Sequence, residues 1–122
     1  MSLPPEVFQG LPVGRRIKYN REFTRIKTAG RRITLGCLIL NWLMANDTKP
    51  AKVGVVVSKR VGNSVQRNRA KRLMREVFRR NQTRIPASLQ LVLVARPSIR
   101  GRSYAVVERD FTDALRQARV LV

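Results

Sequence analysis

Val53-Gly54-Val55-Val56-Val57-Ser58-Lys59-Arg60-Val61-Gly62-Asn63-Ser64-Val65-Gln66-Arg67-Asn68-Arg69-Ala70-Lys71-Arg72-Leu73-Met74-Arg75-Glu76-Val77-Phe78-Arg79-Arg80 decides the fold. It opens on a β-branched run, Val53–Val57, bounded by Ser58-Lys59-Arg60, which reads as a strand. A run this apolar is expected in a central strand, covered on at least part of both faces. Asn63 and Gln66 then have the spacing of a capping box, in which the cap side chain and the third helical residue satisfy each other's backbone donors. The helix so started is expected to run to about Gln82. At about 100° per residue, Ala70, Leu73, Met74, Val77 and Phe78 fall on one face. Asn68, Arg72, Arg75 and Arg79 fall on the opposite face, with Lys71 at its border and Arg67 and Arg69 on the flanks.

Upstream of this unit, Arg32 to Met44 reads as strand, apolar on both faces from Leu35 onward, and Asn46-Asp47-Thr48-Lys49-Pro50 as a turn. Before it, Asn20 can cap a short helix that carries Phe23 and Ile26 on one face and ends at Gly30. Lys18, Arg21, Arg25 and Lys27 surround that face with positive charge. Residues 1–12 hold three prolines and no periodicity, and are expected to be a mobile arm. Glu6-Val7-Phe8-Gln9-Gly10 is similar to an engineered protease site, so part of the arm is expected to be a cloning remnant. Downstream, Leu89 to Ala95 is a further strand, ended by Arg96-Pro97. Ser103 is the best cap for a last helix, whose stripe is Val107, Phe111, Ala114, Leu115 and Ala118.

The order is therefore α-β(β)-β-α-β-α, the first β segment being one strand or two. Such an order predicts an α+β fold: a single-domain α/β sandwich over residues 13–122, with one main mixed sheet of about four strands and three helices. The crossover through residues 53–95 is right-handed by default if its strands are parallel.

Charge narrows the function. The 122 residues include 26 Lys+Arg against 7 Asp+Glu, a formal net charge of +19. A folded domain so imbalanced repels itself, which points to a polyanionic partner, nucleic acid first and an anionic membrane surface second. A GC-rich genome can raise arginine over lysine, but it does not remove acids. Histidine is absent, which takes away the usual general acid/base of protein ribonucleases and the commonest metal ligand. With Cys37 the lone cysteine, zinc fingers and knuckles are excluded, and a buried core thiol in a reducing cytoplasm is expected. No apolar stretch approaches the roughly 20 residues that span a bilayer. Glu108, Asp110 and Asp113 are expected to be solvated surface turned away from RNA.

Charged helix faces are usually just solvated, but those mix signs and gain from acid–base pairs four residues apart. Here the sign is nearly uniform, because Glu76 is the one acid between Lys49 and Glu108. Arginines so placed repel each other until phosphates neutralise them, and the helix N-terminus at Asn63–Gln66 adds its own positive pole. RNA or DNA contact follows, with no helix-turn-helix, basic zipper or RRM signature to decide between them. Tyr19, Phe23 and Trp42 can stack on unpaired bases, or pack in the core.

The segment Val53–Glu76 closely resembles the signature of the bacterial ribonuclease P protein family. Arg21-Glu22-Phe23 followed by Gly30, and Val92-Leu93-Val94-Ala95-Arg96-Pro97, are similar to the family's flanking features, so the resemblance covers about residues 14 to 119. It implies an α/β sandwich with a left-handed βαβ crossover, against the default. It implies a cytoplasmic accessory subunit of an endoribonuclease, whose partners are the ribonuclease P RNA and precursor tRNA, with no membrane and no obligatory protein partner. Cleavage of the 5′ leader would be done by the RNA and by Mg²⁺ that the RNA mainly holds, the isolated protein being inactive, with no catalytic or metal-binding residues. The RNA-subunit surface would comprise Lys59, Arg60, Asn63, Arg67, Asn68, Arg69, Lys71, Arg72, Arg75 and Arg79. A leader cleft would lie between the first helix and the sheet, with Phe23, Arg21, Lys27 and Asn41. A second cleft aromatic of the family is Lys27 here and a strand tyrosine is Asn41, so leader contact is expected to lean on charge more than on stacking. The alternatives are a ribosomal protein or general RNA chaperone of similar fold, and an autonomous nuclease.

Overall fold

In the computed structural model, which describes Ile17, residues 20–44 and residues 51–120, one sheet is covered on both faces by helices. The elements are α1 (Asn20–Ala29), β1 (Arg31–Leu35), β2 (Leu38–Met44), β3 (Lys52–Val56), α2 (Ser64–Arg80), β4 (Leu89–Ala95) and α3 (Tyr104–Ala118). Single 3-10 turns follow β3 at Lys59–Val61 and β4 at Pro97–Ile99. The strand order is β1-β2-β4-β3, antiparallel except for the parallel pair β3–β4, which α2 connects. The α+β sandwich of three helices on a mixed four-stranded sheet is thus the architecture expected. The arm at residues 1–12, the side chain of Asn20 and the Asn46–Pro50 turn lie outside the described residues.

The long apolar segment from Arg32 is a hairpin of two strands. Leu35 pairs with Leu38, leaving Gly36 and Cys37 as a two-residue turn. Gly36 has φ +58°, the left-handed value that a first central residue of such a turn demands and that glycine adopts without strain. The carboxylate of Asp110 fills the space where a Gly36 side chain would stand and accepts the Cys37 backbone N–H at 3.0 Å. Asp110 is buried, so the expectation of three solvated acids on α3 fails for it. Glu108 is also engaged, accepting from Asn81 Nδ2 at 3.0 Å and from the Tyr104 hydroxyl at 2.8 Å. Only Asp113 has the expected surface role, paired with Arg116 at 2.8 Å. Helical periodicity could place these acids on α3, but the hairpin turn that Asp110 meets lies 73 residues earlier.

β3 is an edge strand, not the central strand its valines suggested. Its apolar character is explained by cover from outside the sheet. The Ile17 N–H donates to Val53 O at 3.0 Å, α2 packs on one face, and Phe23 of α1 lies on Gly54 on the other.

Residue alternation sorts the two layers. Leu38, Leu40, Trp42, Val53, Leu91 and Leu93 face α2 and α3 and join Met74, Val77, Phe78, Val107, Phe111 and Leu115 in the main core. Val92, with partly buried Leu43, Val56 and Val94, faces α1 and packs with Ile17, Phe23 and Ile26. The capping box forms as expected: Gln66 N–H donates to Asn63 Oδ1, and Asn63 N–H to Gln66 Oε1, each at 2.9 Å. Ser103 caps α3, accepting from Val106 N–H at 3.3 Å.

Candidate nucleic-acid interface

The basic surface is built on α2, whose inner face is fixed by buried Ala70, Met74, Val77 and Phe78. That packing sets the rotation of the helix and so directs the remaining positions outward. Asn68, Arg69 and Arg72 are exposed, and Arg67, Lys71 and Arg75 are half-buried along their stems. Half-burial of this kind suits long cationic side chains, which cover apolar surface with their methylenes and keep the charge in water. Ahead of the helix, the turn Lys59–Val61 is anchored by fully buried Val61 and leaves Lys59 and Arg60 exposed.

Several of the expected RNA-binding side chains also have work inside the fold, among them Arg67, whose Nη2 donates to Ser64 Oγ at 3.3 Å. Asn63 spends its side-chain oxygen on the cap. Arg69 Nη2 donates to the backbone carbonyl of Arg102 at 2.8 Å, tying α2 to the turn before α3. Arg79 forms a two-point ion pair with Glu76, at 2.5 and 2.8 Å, and Arg80 approaches the same carboxylate at 3.2 Å. Glu76 keeps the Arg79 guanidinium even more firmly protonated than usual. The face is therefore graded: uncompensated positive charge toward the N-terminal end of α2, and partly neutralised charge at the C-terminal end. There Arg80 also lies over the Tyr104 ring, 4.8 Å from its centroid.

On the other side of the sheet, Arg21 and Lys27 of α1 are exposed and Phe23 is half-buried. Register places Arg32, Asn41, Val92 and Gly54 in one row across the four strands. Phe23 closes the end of that row, because Gly54 has no side chain: a Cβ there would stand 2.6 Å from Phe23 Cζ. Asn41 is only 5% exposed, so it lies in the row beneath this layer rather than on open surface. The next row, Ile39, Val94 and Val56, is half-exposed and forms an apolar floor beside Phe23. Sequence reading missed this floor, since each residue looked like ordinary strand core. It also missed Arg96, Arg100 and Arg102, which are exposed in the turn between β4 and α3. Their signal was the absence of any acid between Val77 and Val107.

Among the described residues no helix is long and apolar enough to cross a membrane, and no three His, Cys, Asp or Glu side chains converge.

The chain is similar over most of its length to proteins of one kind. A ribonuclease P protein component from Gluconacetobacter diazotrophicus is 38% identical over 106 residues, covering 86% of this chain and 91% of that one. One from Alkaliphilus metalliredigens is 33% identical, covering 87% and 95%. Among solved structures, the Staphylococcus aureus RNase P protein superposes with a TM-score of 0.80 at 26% identity, covering 88% of this chain and 98% of that one. The family model described as Ribonuclease P matches residues 11–119, and with relatives of this identity and coverage it places this chain in the ribonuclease P protein family.

Proposed function

We propose that this chain is the protein subunit of a ribonuclease P ribonucleoprotein, cytoplasmic and without an obligatory protein partner. It holds the catalytic RNA on α2 and guides the 5′ leader of precursor tRNA past α1. The observation that carries this reading is the outward row Lys59, Arg60, Arg67, Asn68, Lys71, Arg72 and Arg75. From Arg67 onward it stands on a helix whose opposite face is locked into the core, and Lys59 and Arg60 extend it from the turn ahead. Such a row costs self-repulsion in the free protein and becomes favourable when phosphates displace its counterions.

In this reading the RNA does the chemistry. Mg²⁺ held mainly by that RNA would supply the chemistry of phosphodiester cleavage, and no residue of this chain would bind it. Among the described residues no three acids converge, and Glu76, Glu108, Asp110 and Asp113 each have a partner within the fold. The side chains on α2 screen one polyanion from another. The floor of Ile39, Val94 and Val56 with Phe23 offers unpaired bases an apolar and aromatic surface, flanked by Arg21 and Lys27.

The test is reconstitution: this protein, a bacterial ribonuclease P RNA and labelled precursor tRNA at low Mg²⁺. Faster 5′ cleavage with the protein than with RNA alone is expected. RNA binding with no gain in cleavage would favour a ribosomal or chaperone role. Specific 5′ cleavage by repurified protein without the RNA would favour an autonomous nuclease.

A further inference from the structure

The parallel pairing of β3 and β4 sends the chain out of the sheet twice at the same end. One exit is the turn Lys59–Val61 and the other is the turn Pro97–Ile99, and the two pack against each other. The second exit continues into Arg100, Gly101 and Arg102 before α3. It is held in place at several points. Ile99 is buried, Arg96 Nη1 donates to Gly36 O at 2.8 Å, Arg102 Nε donates to Ser98 O at 3.1 Å, and Arg69 Nη2 of α2 donates to Arg102 O at 2.8 Å. The Arg100 side chain makes no hydrogen bond or ion pair with the described residues, and Arg102 leaves its terminal nitrogens unpartnered among them. Among the described residues, Arg96, Arg100 and Arg102 form no ion pair with an acid. Glu108, the next acid along the chain, is held by Asn81 and Tyr104. A fold that fixes a turn this firmly beside a basic helix, and leaves the Arg100 guanidinium and the terminal nitrogens of Arg102 without a partner among the described residues, has prepared a surface for phosphates.

We propose that the turn Arg96–Arg102 is a second RNA-backbone-binding element. Arg100 and Arg102 would bind phosphates of the catalytic RNA that lies on α2, and Arg69 would be the residue that positions the turn. This rests on the reading of α2 given above. The catalytic RNA is the occupant because the turn is continuous with α2 through Arg69 and with Lys59 and Arg60 through the packed turns. It carries no aromatic residue for unpaired leader bases, whereas Phe23 stands on the other face of the sheet. The element therefore extends the footprint on the RNA sideways, off the helix axis.

The experiment measures affinity of the full chain for ribonuclease P RNA across a salt series, without tRNA. The variants are Arg100→Ala, Arg102→Ala, their double, Arg69→Ala and the triple, with Arg72→Ala as a marker for α2 and exposed Arg84→Ala as a remote control. Each of Arg100→Ala and Arg102→Ala is expected to lower the slope of log K against log salt by about one unit. Arg100→Lys should restore it. In the Arg69→Ala background the two losses should shrink, since the turn is no longer held. An unchanged slope in Arg100→Ala and Arg102→Ala, with Arg72→Ala lowered, overturns this element and leaves the α2 reading standing. If Arg72→Ala is also unchanged, the α2 reading fails with it. A loss equal to that of Arg84→Ala overturns it as a non-specific charge effect. A loss seen only for precursor tRNA in the holoenzyme overturns the assignment to the catalytic RNA.

Discussion

Gly54→Ala tests whether Phe23 is held where α1 and the sheet meet. The added Cβ would stand 2.6 Å from Phe23 Cζ, 2.7 Å from Cε1 and 3.3 Å from Ile17 Cβ. Carbon atoms sit comfortably at about 3.5–4.0 Å, so the ring must withdraw by about 1 Å. Overpacking of this size costs about 1–3 kcal/mol. Replacing glycine within a strand returns about 0.5–1 kcal/mol. The net loss should be about 0.5–2 kcal/mol, or about 2–8 °C in Tm at about 4 °C per kcal/mol. Phe23→Ala alone should cost about 2 kcal/mol, roughly half the value for a fully buried ring. In the double variant the clash is gone, so Gly54→Ala should become neutral or stabilising, giving a coupling of about 1–3 kcal/mol. Urea unfolding of the four proteins, with slopes checked for constancy, measures this cycle. Additivity within about 0.5 kcal/mol refutes the packing argument. The same four proteins, reconstituted with RNA, then report on the leader. If Phe23 stacks on a base, Phe23→Ala should reduce the affinity ratio of leader-bearing over mature tRNA by about 1–3 kcal/mol.

Asp110→Ala leaves the Cys37 N–H buried without its acceptor; a loss of about 1–3 kcal/mol in thermal unfolding, with RNA affinity unchanged, is expected, and an unmoved Tm would remove Asp110 from the hairpin latch. Arg72→Ala should reduce the salt slope of RNA binding by about one unit and Arg79→Ala by clearly less, because Glu76 already neutralises Arg79; equal reductions would contradict that grading. The Cys37 thiol is pushed up from 9.0 to about 12, by burial first and then by its hydrogen bond to Asp110 and the nearby carboxylate charge. A raised native value favours the protonated form, so its stabilisation is full below pH 9.0 and is lost as pH rises from there toward about 12. Burial and Glu108 raise the Tyr104 hydroxyl in the same direction. Urea midpoints should therefore fall between pH 8.5 and 11 less steeply in Cys37→Ala/Tyr104→Phe than in the parent chain, and identical profiles would contradict the assignment.

Where residues were legible, they were so for local reasons. The capping box at Asn63 and Gln66, the stripe on α2, β4 from Leu89 to Ala95 and the Ser103 cap all rest on neighbours within four residues or on an unbroken local run of largely apolar residues. What failed depended on distant partners. Val53–Val57 looked central because its cover, Ile17 and Phe23, belongs to the other end of the sequence. Asp110 looked solvated because the turn it serves is in the β1–β2 hairpin, far back along the chain. Arg79 was placed on the correct face, yet its bidentate pairing with Glu76 is a choice of rotamers that spacing permits without requiring. For the candidate site, the basic face of α2 followed from periodicity. The turn Arg96–Arg102 joined it only once β3 and β4 were known to be parallel neighbours.

The position of β4 between β2 and β3 also has a consequence for synthesis on the ribosome. β1 and β2 can zip together as soon as they emerge, since their turn is two residues long. β3 cannot: β4, its partner among the described strands, lies beyond the whole of α2. With elongation at about 5–20 residues per second, the basic helix is outside for seconds before the strand that closes the sheet arrives. During that interval its apolar stripe lacks a complete floor and its arginines already face a cell rich in RNA. A nascent chain of this topology meets polyanions before it is folded, so RNA is positioned to act on its folding as well as on its finished surface.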